Sequence, residues 1–115
     1  TEAMPQIAAF GKAAEIAFAG MKENCEKIAK LRESAASAIC AEMPEAVIIG
    51  GGAPHILSVS LPGWRSEVLM NFLEAKGIFV SRSSACISFS RMNTQDDVDA
   101  LVSALKEAHD TLAHR

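Results

Sequence analysis

In the stretch AVIIGGGAPHILSVSLPG, residues 46–63, the helical periodicity of the preceding residues gives way to the pattern of short strands. Residues 46–49 are apolar and mostly β-branched, and the glycines and the proline in residues 50–54 are typical of a chain reversal. In residues 56–61 apolar side chains alternate with serine, which predicts a strand with one buried face. The stretch therefore predicts two strands joined by a short connection.

Two helices are predicted before this stretch. Apolar residues recur at helical spacing over residues 5–18, where Pro5 suits the first turn and Gly20 suits the stop. The pattern resumes over residues 21–42 and ends before Pro44.

Shorter elements are predicted after it. Residues 67–76 carry a helical apolar face, and Gly77 stands where a left-handed C-terminal cap would lie. Residues 78–81 and 87–90 are brief strand candidates, and the small polar residues between them predict a loop.

A last helix starts at a capping-box spacing, with Asp97 three residues after Thr94, and an apolar stripe continues to Leu112. The predicted order α-α-β-β-α-β-β-α indicates an α+β fold in which helices cover a small three- to four-stranded sheet. The chain has 115 residues, half of them hydrophobic, enough for one core, so residues 1–115 are predicted to form a single domain.

Composition excludes several classes of function. The net charge is -3 with lysine and arginine scattered, which argues against nucleic-acid binding. Three cysteines without a CxxC spacing fit a reducing cytoplasm better than a disulfide framework. No apolar run is long enough to span a bilayer, and residues 1–6 do not resemble a signal peptide.

Cys86 is the strongest candidate for chemistry. It ends the predicted loop 82–86, where Arg82 would favour the thiolate, whereas Cys25 and Cys40 fall within a predicted helix. Spacing alone leaves open that Cys86 is a small buried apolar side chain.

The other polar candidates have simpler structural explanations. His109 and His114 are five residues apart near a helix end, an awkward spacing for a shared metal, so no metal site is predicted. His55 has no carboxylate companion nearby in the sequence. The glycine run 50–52 leads into Ala53-Pro54 and not into a helix, which favours a connector over a phosphate loop.

The segment APHILSVSLPGWRSEVLMNFLEAKGIFVSRSSAC, residues 53–86, closely resembles the C-terminal part of cysteine desulfurases. TEAMPQIAAFGKAAEIA at residues 1–17 and ISFSRMNTQDDVDALVSALKEA at residues 87–108 extend the resemblance over nearly the whole chain. These are pyridoxal-phosphate enzymes of the class V aminotransferase group. The resemblance implies the C-terminal small domain of a fold-type I enzyme.

The resemblance also implies site residues and partners. Cys86 matches the nucleophile on a mobile loop that takes sulfur from L-cysteine as a persulfide and leaves alanine. Thr1 matches a threonine that reaches the cofactor phosphate in the partner subunit. The complete enzyme is implied to be a homodimer that passes sulfur to an acceptor protein, as in iron-sulfur cluster assembly.

The sequence departs from the family pattern in three places. The large domain, with its Schiff-base lysine in a Ser-x-His-Lys setting, is absent from these residues. Cys86 runs directly into Ile87, where relatives have an intervening segment that ends in a substrate-binding arginine, and Ala3 replaces the usual asparagine. The chain by itself is therefore expected to bind no pyridoxal phosphate and to be inactive.

Two other classes of function remain open at the level of sequence. One is a non-catalytic α+β module that docks a protein or senses a small ligand, with Cys86 incidental. The other is a redox-sensing thiol protein, for which no resolving cysteine is found close to Cys86 in the sequence.

Overall fold

Three helices pack on one face of a three-stranded antiparallel sheet, which confirms the α+β prediction. The computed structural model describes residues 2–81 and 85–112. In chain order the elements are α1 (Met4–Glu42), β1 (Val47–Ile49), β2 (Ile56–Ser60), α2 (Ser66–Ala75), β3 (Ala85–Ser88) and α3 (Gln95–Leu112). The strands are ordered β1-β2-β3, so β2 is central and pairs with both neighbours.

The two helices predicted before the sheet are one continuous helix, α1, of 39 residues. Gly20 does not end it, so the predicted break is wrong. A glycine inside a helix costs about 1 kcal/mol, less than nucleating a second helix would cost, so propagation through Gly20 is preferred. Pro5 lies in the first turn as predicted, and the helix ends at Glu42, before Pro44.

The core lies between the helices and one face of the sheet. The alternation predicted for β2 is confirmed, because Leu57 and Val59 are buried while Ser58 and Ser60 are half-buried on the other face. Fully buried side chains come from every layer: Ile39, Met43, Leu57, Val59, Leu73, Val98 and Leu105. The opposite face of the sheet, which we call the open face, carries no helix among the described residues.

α2 ends in the left-handed cap predicted at Gly77. The φ angle of Gly77 is 77°, its amide donates to the Glu74 carbonyl at 2.9 Å, and the Ile78 amide donates to the Leu73 carbonyl at 2.9 Å. These two bonds define a Schellman motif. Ile78 also packs against the core cluster, so the chain leaves α2 in one fixed direction.

The strand predicted over residues 78–81 does not form. Ile78 is drawn into the α2 cap, and Ser81 makes only an isolated bridge to Cys86. The described sheet therefore has three strands, and the order α-β-β-α-β-α replaces the predicted one.

The capping interaction predicted at the start of α3 is present. The Asp97 carboxylate accepts hydrogen bonds from the Thr94 amide at 2.9 Å and from Asn93 Nδ2 at 3.2 Å. These bonds, the Thr94 amide foremost, lower the pKa of Asp97 below its ordinary value because they stabilise the ionised carboxylate.

Candidate functional site

Cys86 lies inside β3 and not on a loop as predicted. It pairs with Ser58 of β2, and its carbonyl accepts a hydrogen bond from the Ser81 amide at 3.3 Å. Pairing on both sides holds its backbone in the sheet. Ala85 of the predicted loop also belongs to β3, and residues 82–84, which include Arg82, lie outside the described residues.

The side chain of Cys86 belongs to the open face. The next residue, Ile87, is buried with Leu57 on the helix-covered face, and successive side chains of a strand point to opposite faces. Pairing sets Ile49, Ser58 and Cys86 in one row across the three strands. The thiol is therefore outside the core, which removes the alternative that it is a core side chain.

The surroundings of the thiol are mostly small or apolar. Ser58 and Cys86 are half-buried, whereas Ile49 is 49% exposed and Val47 of the same strand is 52% exposed. The row begins at Ile49 in the apolar edge strand β1 and ends at Cys86, which Ser81 bridges from the other side. A molecule that reaches Cys86 must therefore approach the open face.

The loop predicted for Cys86 would make it the most accessible of the three thiols and the fastest to alkylate, and the exposures of the three contradict this expectation. Cys25 and Cys40 are exposed on α1, and Cys86 is half-buried. Cys25 falls on the apolar side of the predicted helix over residues 21–42, and that side of α1 is exposed at this position.

We therefore expect iodoacetamide to modify Cys25 and Cys40 before Cys86 in the folded chain, because the reagent reaches an exposed sulfur more readily than a half-buried one. Mass spectrometry of peptides from timed quenches measures the three rates. In denaturant the rates should converge. A folded chain in which Cys86 reacts first would contradict an ordering set by exposure.

The other predicted site residues are not brought to Cys86. His55 is exposed before β2, and its carbonyl accepts from the Phe89 amide at 2.8 Å, a structural contact. The glycine run at 50–52 connects β1 to β2, as predicted. Thr1 and His114 lie outside the described residues, so the contact predicted for Thr1 stays a prediction.

One polar cluster was missed by sequence reasoning. His109 Nε2 lies 2.9 Å from Glu45 Oε1, and the His109 ring stacks on Trp64 with 5.8 Å between ring centroids. This cluster joins the end of α3 to the turns before β1 and α2. The three residues are far apart in the sequence, so no local signal could have found the cluster.

The residues described here do not fit a pyridoxal-phosphate site. A Schiff-base lysine must lie in a pocket with its amine available, whereas all six lysines of this chain are exposed. Several are already engaged: Lys76 Nζ with Glu107 at 2.7 Å and Lys106 Nζ with Glu42 at 2.7 Å. The Glu42 carboxylate raises the pKa of Lys106, which keeps that amine protonated.

The described part of the chain shows neither a metal cluster nor a membrane-spanning helix. Residues 2–81 and 85–112 contain no group of three histidine, cysteine or acidic side chains placed to share a metal ion. In the same ranges no helix is both long and apolar enough to cross a membrane.

The fold is that of NifS-like proteins. A solved NifS-like protein superposes with a TM-score of 0.86 at 28% identity, and the match covers 96% of this chain and 35% of that one. A NifS-like protein from Rickettsia africae gives a TM-score of 0.84 at 24% identity over 96% of this chain and 36% of that one, a likeness of fold alone.

Sequence relatives identify the class more closely. The chain is 36% identical over 95 residues to a cysteine desulfurase IscS from Clostridium botulinum, 78% of this chain and 24% of that protein. It is 27% identical over 136 residues to a cysteine desulfurase IscS from Methanosarcina thermophila, 93% of this chain and 33% of that protein. No family model matches the chain. The chain is homologous to cysteine desulfurases and spans only about a quarter to a third of their length, as a C-terminal domain would.

One alignment also reveals an internal difference. A NifS homologue from Lactobacillus delbrueckii is 28% identical over 139 positions, covering 95% of this chain, about 109 of its 115 residues, and 36% of the homologue. About 30 positions of that relative therefore have no counterpart here. A segment missing between Cys86 and Ile87, as the resemblance implies, would account for them.

Proposed function

We propose that this chain supplies the sulfur-accepting thiol of a cysteine desulfurase. In the complete enzyme Cys86 would take sulfur from L-cysteine as a persulfide and leave alanine. The observation that carries the proposal is the placement of Cys86 on the open face, outside the core, in a domain homologous to cysteine desulfurases.

The transfer balances without an outside oxidant or reductant. The Cys86 thiolate forms an S–S bond to the sulfur of L-cysteine as the carbon–sulfur bond of the substrate breaks. The electron pair of the broken bond stays on the carbon, which takes up a proton and leaves as alanine. Pyridoxal phosphate, bound by the part of the relatives that this chain does not match, would supply the electron sink.

The open face determines how the domain would meet its partners. Substrate and the sulfur acceptor protein would both approach across the row of Ile49, Ser58 and Cys86, since helices cover the other face. The complete enzyme is proposed to be a cytoplasmic homodimer that delivers sulfur to iron-sulfur cluster assembly or another carrier.

The test combines the 115-residue chain with the separately made cofactor-binding part of a relative, pyridoxal phosphate and L-cysteine. We expect one added sulfur on the peptide that contains Cys86, detected by mass spectrometry after alkylation. Cys86→Ser should abolish it, whereas Cys25→Ser and Cys40→Ser should leave it unchanged. The chain with cofactor and L-cysteine but no such partner should release no sulfide.

Two results would contradict the proposal. Sulfur that accumulates equally on Cys25 and Cys40 would indicate non-specific exchange with exposed thiols. A stable complex with the cofactor-binding part that never loads Cys86 would favour a non-catalytic docking module.

A further inference from the structure

Arg32 of α1 takes the place of a strand partner at the end of the sheet. If the pairing of β1 with β2 continued past Ile49, Gly51 would stand opposite Ile56. Instead Gly50 turns the chain away with a φ of 72°, and Arg32 Nε donates to the Ile56 carbonyl at 2.8 Å. This hydrogen bond fixes the guanidinium at the point where the ladder between the two strands stops.

The substitution leaves several donors without a protein acceptor. Only the Nε–H group of Arg32 bonds to Ile56, so the N–H groups on the two terminal nitrogens remain available. Within residues 2–81 and 85–112 no carboxylate forms an ion pair with this guanidinium. The Gly51 amide, which the ladder no longer uses, has no backbone acceptor in the same ranges.

The surroundings of Arg32 contain no negative charge that would neutralise it. Its neighbours three and four positions away in the helix are all apolar: Ile28, Ala29, Ala35 and Ala36. Residues 46–66, which include both β1 and β2, contain no aspartate or glutamate, and their ionisable side chains are His55 and Arg65. This corner of the molecule is therefore electropositive in a chain whose net charge is -3.

The glycine run 50–52 leaves room for a ligand beside the guanidinium. A Cβ built on Gly51 would lie 3.8 Å from Arg32 Nη2, and one built on Gly50 or Gly52 would meet nothing within 4 Å beyond its chain neighbours. All three glycines are exposed. A ligand can therefore approach the loop amides and the guanidinium together, with no side chain of the loop in its way.

We propose that Arg32 and the glycine run 50–52 bind the carboxylate group of a small organic acid. The two terminal nitrogens of a guanidinium form a fork that matches the two oxygens of a carboxylate. One permanent cation balances one negative charge, so a carboxylate fits better than a phosphate dianion. The charge comes from Arg32 and not from a helix N-terminus, which is why the glycine run alone did not reveal the site.

Titration of the ¹⁵N-labelled chain with sodium acetate tests the site by NMR, with acetate replacing chloride at constant ionic strength. We expect the amide signals of the glycine run and the Arg32 Nε–H signal to shift together, with one dissociation constant on the order of 1 mM. Inorganic phosphate, titrated in the same way, should bind more weakly than acetate.

Gly51→Ala and Gly52→Ala form a matched pair of variants. Neither glycine has a positive φ, so alanine is accepted at both positions. The methyl group added at Gly51 would contact Arg32 Nη2 and occupy the place of the ligand, so acetate should bind about tenfold more weakly or worse. Gly52→Ala should leave the affinity unchanged.

Arg32→Lys tests the fork separately from the charge. Lysine keeps the positive charge but has no planar pair of donors, so acetate binding should fall about tenfold. If this variant loses its fold through the lost bond to Ile56, which circular dichroism would reveal, the glycine pair still decides.

Four results would overturn the inference: no shift of these signals with acetate, tighter binding of phosphate, equal affinities in Gly51→Ala and Gly52→Ala, or full affinity in a folded Arg32→Lys. Cys86 takes no part in any of these measurements, and its side chain lies on the open face while Arg32 belongs to the helix layer. The carboxylate site and sulfur transfer to Cys86 therefore fail separately.

Discussion

Leu57→Ala is expected to lower the free energy of unfolding by about 3 to 5 kcal/mol, the range for leucine truncation in a rigid core. Leu57 is fully buried in the central strand β2 and pairs with Ile87 of β3, so both sides of the sheet limit collapse into the cavity. Small domains are stable by about 5 to 15 kcal/mol, so this one change would remove a large part of the stability. Urea unfolding followed by circular dichroism measures it.

Ile49→Ala provides the control within the same sheet. Ile49 is 49% exposed on the open face of the edge strand β1, and its truncation should cost less than about 1 kcal/mol. All variants must be compared at one protein concentration, because any self-association would add to the apparent stability. Equal losses for Leu57→Ala and Ile49→Ala would mean that both faces of the sheet are covered.

The features that sequence predicted correctly depend on residues close together in the chain. The alternation in β2 follows from the two-residue repeat of a strand, the Gly77 cap from the low cost of positive φ at glycine, and the Asp97 bond from the geometry of a first helical turn. In each case the physical cause lies within a few residues.

The features that sequence missed depend on competition between alternative structures, two of them local and one between distant strands. Gly20 is a helix breaker in isolation, but propagation of a long helix outweighs one glycine. Residues 78–81 have strand composition, yet the α2 cap takes Ile78 into the core and leaves only Ser81 to bridge. Cys86 follows small polar residues typical of a loop, but its pairing with Ser58 of β2 makes it part of β3.

The position of Cys86 in β3 also sets a limit on the proposed chemistry. A thiol that takes sulfur at a cofactor and then presents it to an acceptor must reach two places, which a mobile loop permits. Here the Cys86 backbone is paired with Ser58 on one side and bonded to Ser81 on the other. An error of about 1 Å in the distance between two reacting atoms can lower the rate about a hundredfold. A thiol fixed in a strand is therefore expected to accept sulfur slowly.

An insertion of about thirty glycine- and serine-rich residues between Cys86 and Ile87 is therefore expected to raise the rate of persulfide formation, in the complemented reaction, on the order of tenfold to a hundredfold. Its length restores the positions that the Lactobacillus homologue has and this chain lacks. Longer loops cost little closure entropy, and pairing of Ile87 with Leu57 would keep the core intact.

The same insertion between Gly51 and Gly52 is the control, because it lengthens the β1–β2 connection and leaves Cys86 in β3. Quenched mass spectrometry of the Cys86 peptide gives the rates, and equal rates for the two insertions would show that release from the strand is not what limits sulfur transfer.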